Sequence, residues 1–138
     1  MATTHHTPTF EEIISILKES PVSNPFCHVE LNTTDVDKAK AFYGKLFDWK
    51  LEDVPNASYT MIRVGEGTGG GLMNNPIPGA PSFWLAYVLV DDIEAATKKA
   101  KSLGATIMKE VSEVMGFGWF SVIADPTGAH LALWKPKT

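Results

Sequence analysis

Apolar residues alternate with polar ones from Phe26 to Asn32 and then recur at helical spacing from Val36 to Leu46. The stretch holding both patterns, FCHVELNTTDVDKAKAFYGKLFDW, organises the chain. Its opening predicts a strand with Cys27, Val29 and Leu31 on one face and Phe26, His28, Glu30 and Asn32 on the other. Thr34 or Asp35 then caps a helix whose buried stripe is Val36, Ala39, Phe42, Tyr43 and Leu46. The first strand face packs beneath that helix, so His28 and Glu30 point away from it. Residues 50–53 and 58–64 read as strands around a Pro55-Asn56 turn, and a Gly-rich turn leads to a short strand at 72–73. Residues 83–90 repeat the opening strand. Asp92 caps a second helix carrying Ile93, Ala96, Ala100 and Leu103, which Gly104 ends. Strands at 105–110, 117–124 and 129–134 follow, the last two joined by the tight turn Asp125-Pro-Thr-Gly128.

Placing Asp35-Val36-Asp37 on Asp92-Ile93-Glu94 superposes the halves at an offset of 57 residues. Each half is strand, helix and three strands, as expected of duplicated units that bury a shared surface. The expected organisation is a 1–25 extension with one helix, then one 26–138 domain of module one (26–74), a linker (75–82) and module two (83–138). The fold class is α+β, with paired βαβββ modules forming a curved, mostly antiparallel sheet around a cleft. In the extension, Thr9-Phe-Glu-Glu12 is a capping box, Phe10, Ile13, Ile14 and Leu17 form an apolar stripe, and Pro21 stops the helix. That stripe must pack on its own domain or on a second subunit.

Composition narrows the function. A net charge of −4, with 12 Lys and Arg scattered among 138 residues, disfavours a sequence-independent grip on nucleic acid. One cysteine, Cys27, excludes an internal disulfide and suits a reducing compartment. No apolar run approaches the roughly 18 residues that span a bilayer, and the N-terminus lacks a signal-peptide core. A cytoplasmic protein is expected. The Gly65–Gly71 turn is no phosphate loop, because the prolines after it prevent a helix from starting there. His5 and His6 lie in the terminal segment, where adjacent histidines are usually incidental.

The motifs FCHVELNTTDVDKAKAFYGKLFDW, VDDIEAATKKAKSLGATI and DPTGAHLALW, in that order, resemble the vicinal oxygen chelate superfamily of glyoxalases, bleomycin resistance proteins and extradiol dioxygenases. The likeness covers about residues 26–135 and is nearest to the glyoxalase-related bacterial branch. It implies paired βαβββ modules curling around a cleft, and a homodimer. Metal-dependent relatives take ligands from the first and last strand of each module. By that resemblance His28 matches the first ligand, but its counterparts are Leu85, Ala132 and a place near Gly71 to Met73, none of which offers a metal donor.

The expected function is therefore a cleft that binds a small organic molecule with no divalent metal and no cofactor. Its candidate ligand-binding residues are His28, Glu30, Tyr87, Trp119, His130 and Trp134. Tyr87 and Trp134 share the face of the absent ligands by strand parity. An alternative is a glyoxalase-type lyase or isomerase with Glu30 as general base and His28 as acid or electrophile, since a carboxylate beside imidazole can be tuned toward the working pH. Another is a metal-dependent lyase or dioxygenase whose site is rebuilt from His28, Glu30 and His130, two histidines and a carboxylate being suitable ligand types. Against each stands the plainer reading that His28 and Glu30 hold the strand in place through partners of their own.

Overall fold

A computed structural model of the chain describes residues 6–19 and 23–138, with the side chains of residues 16–19 excepted. The elements run α1 (Phe10–Glu19), β1 (Phe26–Thr33), α2 (Val36–Leu46), β2 (Lys50–Asp53), β3 (Thr60–Arg63), β4 (Gly70–Asn74), β5 (Phe83–Leu89), α3 (Ile93–Ser102), β6 (Thr106–Val114), β7 (Gly118–Ala124) and β8 (His130–Pro136). All eight strands form one sheet in the order β2-β3-β4-β1-β5-β8-β7-β6. Five neighbouring pairs are antiparallel and two, β1 with β4 and β5 with β8, are parallel. The fold is α+β, two βαβββ modules joined edge to edge within one chain by the antiparallel pairing of β1 and β5. β2 and β6 are the free edges of the sheet.

Local chemistry sets the helix starts. Asp35 and Asp92 each sit in extended backbone, and their side chains accept from the Lys38 and Ala95 amides at 3.0 Å, satisfying orphan donors of the first turn. Thr9 and Glu12 make both bonds of a capping box ahead of α1. Gly104, at φ +102°, takes the left-handed conformation that follows α3.

Both helices cover the same face of the sheet. Beneath α2, Leu31, Ile62 and Leu72 form a core with Val36, Ala39, Tyr43 and Trp49 around it. Beneath α3, Val90, Ile93 and Leu133 do the same with Ala96, Val111 and Trp119. The stripe by which α2 packs on the sheet is narrower than its sequence pattern predicts and only partly buried. Phe42 and Leu46 are 58% and 54% exposed, because Tyr43 and Trp49 already fill the space above the sheet and the rings of Phe42 and Phe47 pack on Tyr43 from outside. Leu103 is likewise exposed, whereas Thr97 is buried, its hydroxyl donating to Ile93 O and paired with Ser121 Oγ at 2.9 Å. The apolar residues of α1 that are described do not join either core: Phe10 is 77% and Ile13 40% exposed. Leu17 and Pro21 lie outside the described side chains, and His5 outside the described residues.

Candidate functional site

The face opposite the helices carries Leu85 and Tyr87 from β5 and Ala132 from β8 as a buried cluster, with Cys27, Phe83, Phe120, Val122 and Trp134 packed against it. His28 and Glu30 lie on this face because β1 alternates and because His28 pairs with Tyr87 and Glu30 with Leu85 across the ladder. A register shift between Phe26 and His28 lets Cys27 reach the same cluster and donate weakly to Tyr87 O at 3.6 Å.

Glu30, only 6% exposed, is the hub. Its Oε1 accepts from the Tyr87 hydroxyl at 3.1 Å and the Asn32 amide at 3.3 Å. Its Oε2 accepts from the Tyr59 hydroxyl at 2.8 Å. The same hydroxyl lies 2.7 Å from His28 Nε2, and the His28 ring meets Tyr87 edge-on at 5.4 Å. Three donors on one carboxylate satisfy a group that, when ionised, can only accept. Burial, reinforced by the charge of Glu30, holds both phenols far above the usual tyrosine range, so they stay protonated donors. Burial also pushes the His28 imidazole below its ordinary value, with Glu30 partly opposing the shift. His28 is therefore neutral at neutral pH.

Tyr59 is the member that sequence reading misses. It precedes β3, and its ring crosses β4 to reach β1, two strands away in the order of the sheet. Gly71, the β4 partner of Glu30, leaves the room: a Cβ there would overlap the Tyr59 hydroxyl and ring. The available signal was parity, since Tyr59 alternates with the core residues Thr60 and Ile62, together with a glycine inside a strand, which often marks a close approach.

The remaining candidates separate. Tyr87 and Trp134 stand on this face with Phe120 and Val122. Trp119 is on the other, packed in the cluster beneath α3 with Lys135 Nζ 5.3 Å from its ring centroid, because it alternates out of phase with Phe120. His130 is exposed at the start of β8 with its ring edge-on to Phe83 at 6.4 Å. Parallel pairing of Tyr87 with Ala132 puts His130 beside Leu85, and β5 separates it from Glu30. Two strand spacings are about 10 Å. Among the described residues no three His, Cys, Asp or Glu side chains gather as a metal-holding group. The donor set around His28 does not fit a divalent metal, which needs about three protein ligands: the neighbouring positions are Leu85, Ala132 and Gly71, and the place before Gly71 is filled by a neutral phenol. A shallow hollow of about 560 Å³ lies elsewhere, between Thr33, Thr34 and the segment from Asn74 to Pro81, and contains no titratable side chain.

The fold has counterparts in known proteins. The model of the Glyoxalase/Bleomycin resistance protein/Dioxygenase superfamily matches residues 26–133. The putative glyoxylase CFP32 of Mycobacterium bovis is 34% identical over 110 residues, which cover 78% of this chain and 42% of that protein. The anthracycline biosynthesis protein DnrV of Streptomyces peucetius is 27% identical over 123 residues, covering 77% of this chain and 45% of that protein. The chain spans less than half the length of these relatives. Among solved structures, the methylmalonyl-CoA epimerase of Mycobacterium tuberculosis superposes with a TM-score of 0.66 at 16% identity, over 88% of this chain and 96% of its own. The Mn(II)-bound glyoxalase of Novosphingobium aromaticivorans does so with a TM-score of 0.60 at 15% identity, over 82% and 39%. At such identities the likeness is one of fold.

Proposed function

From a chain that belongs to the glyoxalase/bleomycin resistance protein/dioxygenase superfamily, we propose a protein that binds a small organic molecule on the face of the sheet opposite the helices, without a divalent metal. The observation that carries this reading is the hydrogen-bond network that engages Glu30, with His28 at its rim. Tyr87, Trp134 and Phe120 give the face an apolar, aromatic character suited to an organic ligand. Within this reading Glu30 is the anchor and His28 the polar contact. Trp119, on the far face, and His130, at the strand end, lie outside the contact set. A homodimer in the cytoplasm belongs to the same reading. Its supports are the exposed apolar residues of α1 and the greater length of the relatives.

A second reading, a glyoxalase-type lyase or isomerase, is favoured by one specific feature: His28 is a neutral imidazole with an uncommitted nitrogen. In that case the base is His28 rather than Glu30, whose oxygens are already engaged by three donors. The test is a panel of uncharged aromatic and carbonyl compounds screened by thermal shift, followed by elemental analysis. Binding that stabilises by the logarithm of ligand excess, and that His28→Ala and Trp134→Ala both weaken, supports the binding reading. A stoichiometric bound ion overturns it. Turnover of a hemithioacetal that is lost in His28→Ala moves the conclusion to the enzyme.

A further inference from the structure

We propose that Tyr59 is a positioning residue that fixes His28 as the Nε2–H tautomer, so that the site takes an uncharged organic molecule offering a hydroxyl or N–H donor. The proton on Nε2 stands on geometry and the bare Nδ1 on the imidazole being neutral as well; the ligand class rests on the small-molecule reading above.

The protons available between Glu30, Tyr59 and His28 decide the tautomer. The Tyr59 hydroxyl has one, and the carboxylate of Glu30 can only accept. The 2.8 Å contact to Glu30 Oε2 therefore uses the phenolic proton. The 2.7 Å contact between the same oxygen and His28 Nε2 then requires a proton from the imidazole. A neutral imidazole has only one N–H, and placing it on Nε2 leaves Nδ1 with a bare lone pair. Among the described residues Nδ1 has no hydrogen-bond partner. Among the described residues no buried side-chain nitrogen or oxygen lacks a partner, so Nδ1 is reached by solvent. It is an acceptor, and what complements an acceptor is a donor. Gly71 belongs to the same device, because only a residue without Cβ leaves the phenol room to sit against both β1 side chains.

Nitrogen-15 multiple-bond correlation spectra of the full-length, ligand-free protein read the tautomer directly, at a pH of about 8 where free imidazole is neutral. His28 is expected to show a protonated Nε2 and a bare Nδ1. A protonated Nδ1 overturns the proposal. In Tyr59→Phe, which keeps the ring, a mixture of tautomers is expected. In Glu30→Gln the tautomer is expected to reverse. The new amide N–H₂ donates to the Tyr59 oxygen, the phenolic proton turns to Nε2, and the imidazole proton moves to Nδ1. A purely structural tyrosine gives no such reversal, and its absence overturns the relay. The ligand class is tested with phenol and its methyl ether, anisole, titrated against the same spectrum. Phenol is expected to bind about tenfold more tightly, the worth of one net hydrogen bond. Equal affinity overturns the ligand class. Binding of neither overturns the class together with the reading beneath it, while the tautomer, measured without ligand, stands or falls separately.

Discussion

Replacing each phenol that meets Glu30 by phenylalanine should cost unequal amounts, and the order tests whether the network is organised as its distances indicate. Tyr59→Phe deletes a 2.8 Å bond to the carboxylate and a 2.7 Å bond from His28. It also leaves Oε2 of a carboxylate only 6% exposed without a donor. A hydrogen bond to a charged group contributes about 1.5–3 kcal/mol and a neutral one about 0.5–1.5 kcal/mol. Tyr59 is half-buried, so water can replace part of the loss. The net cost is then about 2–3 kcal/mol. Tyr87→Phe deletes one longer bond of 3.1 Å to Oε1, an oxygen that Asn32 still serves, and should cost about 1–2 kcal/mol. For a chain of this length about 3 °C of Tm corresponds to each kcal/mol. Urea unfolding of both variants at constant m-value measures the difference. The double variant should exceed the sum of the singles, since both changes fall on one carboxylate. A Tyr59→Phe protein as stable as the parent, or less affected than Tyr87→Phe, would refute this account of the network.

Other consequences are simpler. Leu72, 1% exposed at the centre of the core under α2, should lose about 2–5 kcal/mol as Leu72→Ala, read as a lower urea midpoint. Because burial lowers the His28 pKa, the unfolded chain takes up a proton first as pH falls below about 6.5. The folded form is thus fully favoured above that pH and loses stability below it, until His28 itself is protonated. Carboxylates whose own values are lowered, Glu52, Asp53 and Asp125, act only at more acidic pH. Unfolding midpoints compared between pH 7 and pH 5 should show the loss, and His28→Gln should flatten that segment. Addition of Mn²⁺ or Zn²⁺ should leave Tm unchanged for a protein lacking residues 1–8, which removes His5 and His6. A shift abolished by His28→Ala would show that the site holds an ion after all.

The sequence by itself determined the order of elements and the handedness of each strand's faces. Alternation from Phe26 to Asn32 places His28 and Glu30 together, and capping aspartates at 35 and 92 start the helices, because both signals are local: a two-residue period and a side chain within reach of its own first turn. Glu30 and Tyr87 are equivalent in their modules, 57 residues apart, but the repeat does not say that their side chains meet. Local signals do not say what comes across from elsewhere. That β1 and β5 pair edge to edge within one chain follows from which strand edges are left free. Tyr59 arrives over Gly71 from the residue just before β3, two places away in the sheet, and no periodicity links residue 59 to residue 30. Trp119 and Phe120 are equally aromatic in the sequence. Pairing with Lys135 and Trp134 decided that Phe120 faces the site and Trp119 the helix. His130 has the right chemistry on the right face, yet β5 stands between it and Glu30. Residue types and their faces are properties of short segments, whereas which groups share a proton is fixed only when strands distant in the chain are brought within about 3 Å of one another.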